Sequence, residues 1–323
     1  MTQLHEILTA FNIALDSTVK KISGGKINST WLIDEHDSHF ILQRLHPMFR
    51  QGMIKDSAEI LEQLQKDGWD VPLVQLTPSG SYFWSNNGIW RLSKFIESDN
   101  KLPTLSPDVL HACGKLLAEL HISLNKIQLT LPAPIPHYRD TVFHINYLRS
   151  AMPKLTGDAL ALAEQTISAF EHQDTQTTLI SPQLIHGDPK INNILFRDQL
   201  PYTYIDWDTV MTGSPFIDLG DFIRSLTKEL PGKDTARLIT AFCKGYHETS
   251  PLELGVFSEF QAAALNAAKL IALENIARYL YDIVDKSFWE WDTARYHSQE
   301  EAMLDQARKT LQIFETLSSQ MIT

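Results

Sequence analysis

Residues 184–213, LIHGDPKINNILFRDQLPYTYIDWDTVMTG, gather the side chains best suited to chemistry. Two apolar pieces with strand character, Ile194–Phe196 and Tyr202–Ile205, flank a turn at Arg197–Pro201. Asp188, Asn192 and Asn193 stand before this hairpin, and Asp206 and Asp208 stand after it. A hairpin brings its outer ends together, so carboxylates and an amide converge on one rim. Hard oxygen donors of that kind suit Mg2+, which keeps water and shares phosphate oxygens with a bound nucleotide. A carboxylate left out of the metal set, such as Asp188, can accept a proton from a nucleophile. Asp-rich turns also serve as caps, and Asp208, Asp218 and Asp221 equally suit helix caps or surface carboxylates.

Elements on both sides must position this rim. Leu4, Ile7, Leu8, Phe11 and Leu15 fall at helical spacing. Val19–Ile22, Ser29–Asp34 and His39–Leu45 read as strands, and 54–66 reads as a helix with Ile54, Ala58, Leu61 and Leu64 on one face. Leu73–Leu76, Gly80–Trp84 and Ile89–Phe95 read as three further strands, with turns at Pro78–Gly80 and Asn86–Gly88. The polar, Pro-containing run 96–108 has the composition of a hinge. Helical periodicity then dominates at 108–124, 140–151, 158–171, 217–229, 233–249, 258–284 and 298–319, interrupted by the β-rich island Leu184–Asp208. The expected fold is α+β and bilobal. A small antiparallel-sheet lobe with one inserted helix spans residues 1–96, including a hinge strand, and a larger mainly helical lobe spans 97–323.

Composition narrows the function. With 28 Lys+Arg against 39 Asp+Glu, the net charge of −11 speaks against a nucleic-acid partner. Two cysteines, Cys113 and Cys243, exclude a disulfide scaffold and a thiolate metal cluster. The first residues lack the basic start, unbroken apolar stretch and cleavage site of a signal peptide, and no run of 18 apolar residues occurs. The expectation is a soluble cytoplasmic protein with no membrane partner; its oligomeric state is not legible.

His186–Gly187–Asp188, Asn193 five residues after the aspartate, and Ile205–Asp206 together resemble the catalytic loop and metal aspartate of the aminoglycoside phosphotransferase and choline kinase superfamily. The same loop is similar to the protein-kinase H-R-D-x-x-x-x-N pattern. The resemblance implies a protein-kinase-like fold, ATP and Mg2+ as cofactors, and a small-molecule hydroxyl acceptor. It makes Asp188 the base, Asn193 and Asp206 the metal ligands, and Lys190 a cation near the transferred phosphoryl group. Gly187 stands where regulated protein kinases carry arginine, which implies activity without an activation-loop phosphate. Ser23–Gly24–Gly25, followed by Asn28 and Thr30, resembles the family's G-G-x-x-N-x-[TS] loop, so Gly24 and Gly25 would approach the phosphates. A cation is then needed on the third strand. FILQRLH (40–46) holds no lysine, which leaves Arg44, with Glu59 as its acidic partner and Asp56 and Glu62 as rivals. Arg44 on a solvated face is the plainer alternative. Adenine would sit on the hinge strand near Phe95 and Ile96.

FILQRLH, WRLSKFIES, HGDPKINNILF, IDWDTVMTG, GDFIR and RYLYD are each similar to segments of N-acetylhexosamine 1-kinases, which phosphorylate the anomeric hydroxyl of an amino sugar. By that likeness Arg278 and Trp289 bind the acceptor, with Asp188 and Asp208 beside it and Tyr138 and Arg139 as weaker candidates. The cluster Phe288–Trp289–Glu290–Trp291–Asp292 suits either a sugar stacked on indole or a cationic acceptor such as an aminoglycoside or choline. A pseudokinase is the alternative outside catalysis, disfavoured by the intact Asp188, Asn193 and Asp206.

Overall fold

A computed structural model describes residues 3–22, 28–47, 51–99, 101–175, 181–230, 232, 234–251 and 255–319. The chain opens with α1 (Gln3–Ala10), followed by β1 (Thr18–Ile22), β2 (Ser29–Glu35), β3 (Ser38–Leu45), α2 (Gln51–Lys66), β4 (Trp84–Ser85) and β5 (Ile89–Lys94). The five strands form one antiparallel sheet in the order β1-β2-β3-β5-β4. Alternation sets its two faces. Ile33, Leu42, Trp90 and Leu92 pack against Ile7 and Leu8 of α1 and Phe11 just after it on one side, which leaves Gln43 and Arg91 for the other.

The expected strand at Leu73–Leu76 does not form. Val74 makes a single bridge to Ser93, and only Gln75 N–H to Leu92 O and Lys94 N–H to Leu73 O tie the segment to β5. Pro72 and Pro78 bracket the stretch and remove backbone donors, which keeps the ladder short. Gly80–Trp84 likewise shrinks to the two-residue β4.

Beyond an extended connection, α3 (Pro107–Asn125) starts with Ser106 capping the Val109 N–H and proline in its first turn. The large lobe continues with α4 (Thr141–Ala151), α5 (Gly157–Glu171), β6 (Gln183–Ile185), β7 (Ile194–Arg197), β8 (Leu200–Tyr204), β9 (Met211–Gly213), α6 (Pro215–Glu229), α7 (Thr235–Thr249), α8 (Phe257–Asp285) and α9 (Gln299–Ser318). The hairpin of the β-rich island is β7–β8, and β6 pairs antiparallel with β9. The buried faces of α3, α6 and α7, the start of α8 and the buried side of α2 share one core with Trp207 and Phe196, so the island is set on a rigid base. No helix among the described residues is long and apolar enough to cross a membrane.

Candidate active site

The His186–Asp188 loop is held from beneath by Asp218, in the first turn of α6. Its fully buried carboxylate accepts the backbone N–H of His186 and of Gly187, each at 2.8 Å, and lies 3.0 Å from His121 Nε2. Gly187 adopts φ +83°, and a Cβ there would meet the Thr209 carbonyl oxygen at 2.2 Å. No side chain, arginine included, fits at this position while the loop keeps its course. Burial lowers the His186 pKa to about 4, so the ring is neutral; its Nε2 donates to Ile205 O while Nδ1 accepts the Asp188 N–H. The imidazole thereby clamps the loop to the end of β8.

Asp188 projects from this clamped turn. Lys190 Nζ lies 2.5 Å from its Oδ2, and the Asn193 side-chain amide donates to its main-chain oxygen at 2.8 Å and to Oδ2 at 3.2 Å. Burial, then the neighbouring Asp221 carboxylate, push the Asp188 pKa up to about 7, against the pull of Lys190. Burial also opposes ionisation of Asp221, but the guanidinium groups of Arg139 and Arg224 outweigh it and hold that carboxyl well below the ordinary range. Arg139 Nη2 stands 3.0 Å from Asp221 and 4.0 Å from Asp188 and also donates to Gly187 O, as does the Tyr138 hydroxyl. Tyr138 and Arg139 therefore bind the catalytic loop itself. Asp221 and Arg224, which lie in the GDFIR block, form a support for the Asp188 carboxyl that no local spacing reveals.

Asp206 sits in the left-handed region, φ 67° and ψ 59°, at the turn leaving β8. Its carboxylate is hydrogen-bonded by Asn193 and lies 4.0 Å from Lys190. Burial and the adjacent Asp208 raise its pKa, although 40 % of the side chain stays open to solvent. Two carboxylates and an amide thus converge with a surplus of negative charge, which fits a divalent cation shared with nucleotide phosphates. Asn193 and Asp206 are the residues that would hold it.

The small-lobe expectations need correction. Gly24 and Gly25 lie outside the described residues. Arg44 faces away from the cleft: it shares a sheet face with Trp90, stacks over that indole at 5.8 Å and donates to Asn87 O. Strand parity gives the cleft-facing place to its neighbour Gln43. Glu59 does not pair with Arg44; it is half-exposed and lies 3.6 Å from Lys55 on the same helix, α2. Asp208, expected beside the acceptor, is instead paired with the small lobe. It is 1 % exposed and is consumed by Arg91 Nη1 at 2.6 Å and by Asn28 Nδ2 at 2.7 Å. Ile96 is buried and Phe95 half-buried, with the Phe95 N–H already bonded to His39 O. A cavity of about 160 Å3 between this connection and the hairpin is lined by Asp99, Leu102, Asn192 and Leu195.

Beyond Tyr138 and Arg139, which couple electrostatically both to Asp188 and to residues of the helix, α8 carries Glu274, Arg278 and Asp282 at one-turn intervals along a buried stripe. Arg278 is 8 % exposed in its side chain, 3.8 Å from Glu274, and its guanidinium stacks over Phe288 at 4.5 Å and Trp289 at 5.3 Å. Asp282 organises that aromatic turn by accepting the backbone N–H groups of Ser287, Phe288 and Trp289. The structure thus brings Arg278 and Trp289 together, as expected, through an aspartate that sequence reading passed over. Glu274 Oε1 and Trp289 Nε1 are buried without a hydrogen-bond partner.

Residues 18–252 match the phosphotransferase enzyme family. Among solved structures, the chain is similar to the amicoumacin kinase hAmiN in complex with AMP-PNP, Ca2+ and Ami, with TM-score 0.68, 15 % identity and coverage of 97 % of this chain and 92 % of that one. It is similar to a microcompartment-associated aminopropanol kinase (TM-score 0.63, 16 % identity, 96 % and 94 % covered). An aminoglycoside phosphotransferase from Alicyclobacillus acidocaldarius gives TM-score 0.61 at 12 % identity, with 98 % and 94 % covered. At these identities the likeness is one of fold.

Proposed function

The chain belongs to the phosphotransferase enzyme family, and from that premise we propose that the hydroxyl it phosphorylates, with ATP as donor, belongs to a neutral sugar or amino sugar of the N-acetylhexosamine type. Residues 1–96 serve the nucleotide and 97–323 the acceptor. Asp188 takes the acceptor's proton as the oxygen bonds to the γ-phosphorus and the bond to ADP breaks. Lys190 faces the transferred group, and Asn193 and Asp206 would hold a divalent ion that would supply charge neutralisation at the phosphates. With a pKa near 7, Asp188 is poised to accept a proton close to neutrality.

One observation carries the choice of acceptor. The aromatic surface that a quaternary or polyamine cation would use is already occupied by the protein's own Arg278, stacked on Phe288 and Trp289. A second cation there meets a fixed guanidinium at close range, whereas sugar hydroxyls and an acetamido carbonyl meet its donors. The Trp289 Nε1–H, buried without an acceptor among the described residues, adds a donor that a sugar hydroxyl complements and an ammonium does not.

ADP release, screened over N-acetylhexosamines, aminoglycosides, choline and aminopropanol, tests the reading. Hexosamine turnover that falls ~10- to 100-fold in kcat/KM on Arg278→Ala, with the KM for ATP unmoved, is the expected result. Turnover of a cationic acceptor alone, undiminished by Arg278→Ala, would overturn the sugar assignment.

A further inference from the structure

Side chains alternate along β3. Leu42 enters the core beneath α1, Gln43 faces the catalytic segment, and Arg44 returns to the outer face. The cleft-facing residue of this strand is therefore neutral. Its cross-strand partner is Arg91 of β5, in register with Gln43. The Arg91 guanidinium reaches over that position, donating from Nη2 to Gln43 Oε1 and from Nη1 to Asp208 Oδ1, both at 2.6 Å. Its charge acts on Asp206, two residues before Asp208.

Arg91 is 5 % exposed, and its Nε–H has no hydrogen-bond acceptor among the described residues. A buried donor on a charged group that is left unmade is costly, and it persists where a ligand completes it. Asp208, for its part, has its second oxygen taken by Asn28, whose own Oδ1 accepts the His46 N–H. The aspartate is thus spent on holding the guanidinium.

We propose that Arg91 is the cation that binds the nucleotide's phosphates in this enzyme, displaced from the third strand to the fifth, with Asp208 and Gln43 as the positioning residues that aim it. The pair also ties the sheet of the small lobe to the turn bearing the metal ligand, so phosphate binding and metal placement share one anchor. The inference rests on the reading of the protein as an ATP-dependent kinase.

Calorimetric titration of the whole protein with Mg·ATP and with adenosine separates phosphate binding from a purely architectural strut. Arg91→Met alone leaves Asp208 as a buried unpaired charge, so the decisive variant is Arg91→Met/Asp208→Asn, which removes both charges together. The expected result is an affinity for Mg·ATP lowered ~10- to 100-fold relative to Asp208→Asn, with adenosine affinity changed less than about twofold. Adding Gln43→Lys to the double variant should recover most of the lost ATP affinity, because a point charge at the original strand position suffices for phosphate. Equal losses for ATP and adenosine, or no loss for either, would overturn the assignment of Arg91 while leaving the kinase reading intact. A wild-type protein that binds neither ligand would overturn both.

Discussion

Asp188 and Asp221 share Arg139, whose Nη2 stands 4.0 Å from the first and 3.0 Å from the second, and the two carboxyls divide their ionisation unequally. Arg139 and Arg224 keep Asp221 charged, and that charge, added to burial, makes Asp188 the one that holds a proton to near neutrality. The base form of Asp188 is therefore lost as pH falls through about 7. We expect kcat/KM to drop about tenfold per pH unit on the acid side, with a limb well above the usual carboxylate range. Asp221→Asn removes the like charge, so its pH–rate profile should show that limb at lower pH; an unmoved limb would detach Asp221 from the base.

The same shift makes a stability prediction. The folded pKa of Asp188 is raised above the unfolded value, so its contribution to stability is fully present below pH 3.8 and is lost as pH rises through about 7. Asp188→Asn cannot ionise. It should be more stable than wild type at pH 8, by ~1–4 kcal/mol, and show no such gain at pH 4. Denaturant titrations at the two pH values check this, and equal differences at both would contradict the raised pKa.

Asp206→Ala should lose productive Mg·ATP binding, because the aspartate and Asn193 are the hard donors left facing the cleft once Asp208 is committed to Arg91. The measurement is the Mg2+ concentration giving half-maximal rate, expected to rise at least about tenfold. A metal dependence identical to wild type would remove Asp206 from the ligand set.

Arg44→Ala should leave ATP kinetics within about twofold of wild type, as its side chain is on the solvated outer face against Trp90. A large rise in the KM for ATP would return this residue to the cleft.

Asp282→Ala should unfasten the turn 287–289, since three backbone N–H groups lose their acceptor. The acceptor KM should rise and Trp289 fluorescence shift to the red, while the KM for ATP holds. Unchanged acceptor kinetics would leave the aromatic turn without a role in binding.

The catalytic loop is legible in the sequence because its parts are contiguous. His186, Asp188 and Asn193 sit within eight residues, and the hairpin that folds Asp206 back to them is written in two short apolar runs. The helices follow from periodicity. Gln43 and Arg44 show where legibility ends. Adjacent polar residues on a strand point to opposite faces, and which one meets the cleft depends on the register of β3 with β5 and on the packing of α1, neither of which one strand's sequence contains. Arg91 sits in the short strand segment IWRLS with nothing local to mark it, and its pairing with Asp208 spans 117 positions. Asp221 reads as an ordinary cap or surface carboxylate and Asp282 carries no local signal, because their partners are brought in by tertiary packing and by backbone N–H groups, which have no side-chain signature.

In the proposed reaction Asp188 directs the γ-phosphoryl group of ATP onto a sugar hydroxyl held by the Arg278 shelf. The most direct measurement is 31P NMR of a reaction containing the protein, Mg·ATP and an N-acetylhexosamine, run beside the Asp188→Asn variant. A new sugar-phosphate monoester resonance should grow in step with ADP for the wild type, and its rate should fall ~10²- to 10⁴-fold in the variant. ADP formation without a sugar phosphate, or a sugar phosphate made equally well by Asp188→Asn, would contradict it.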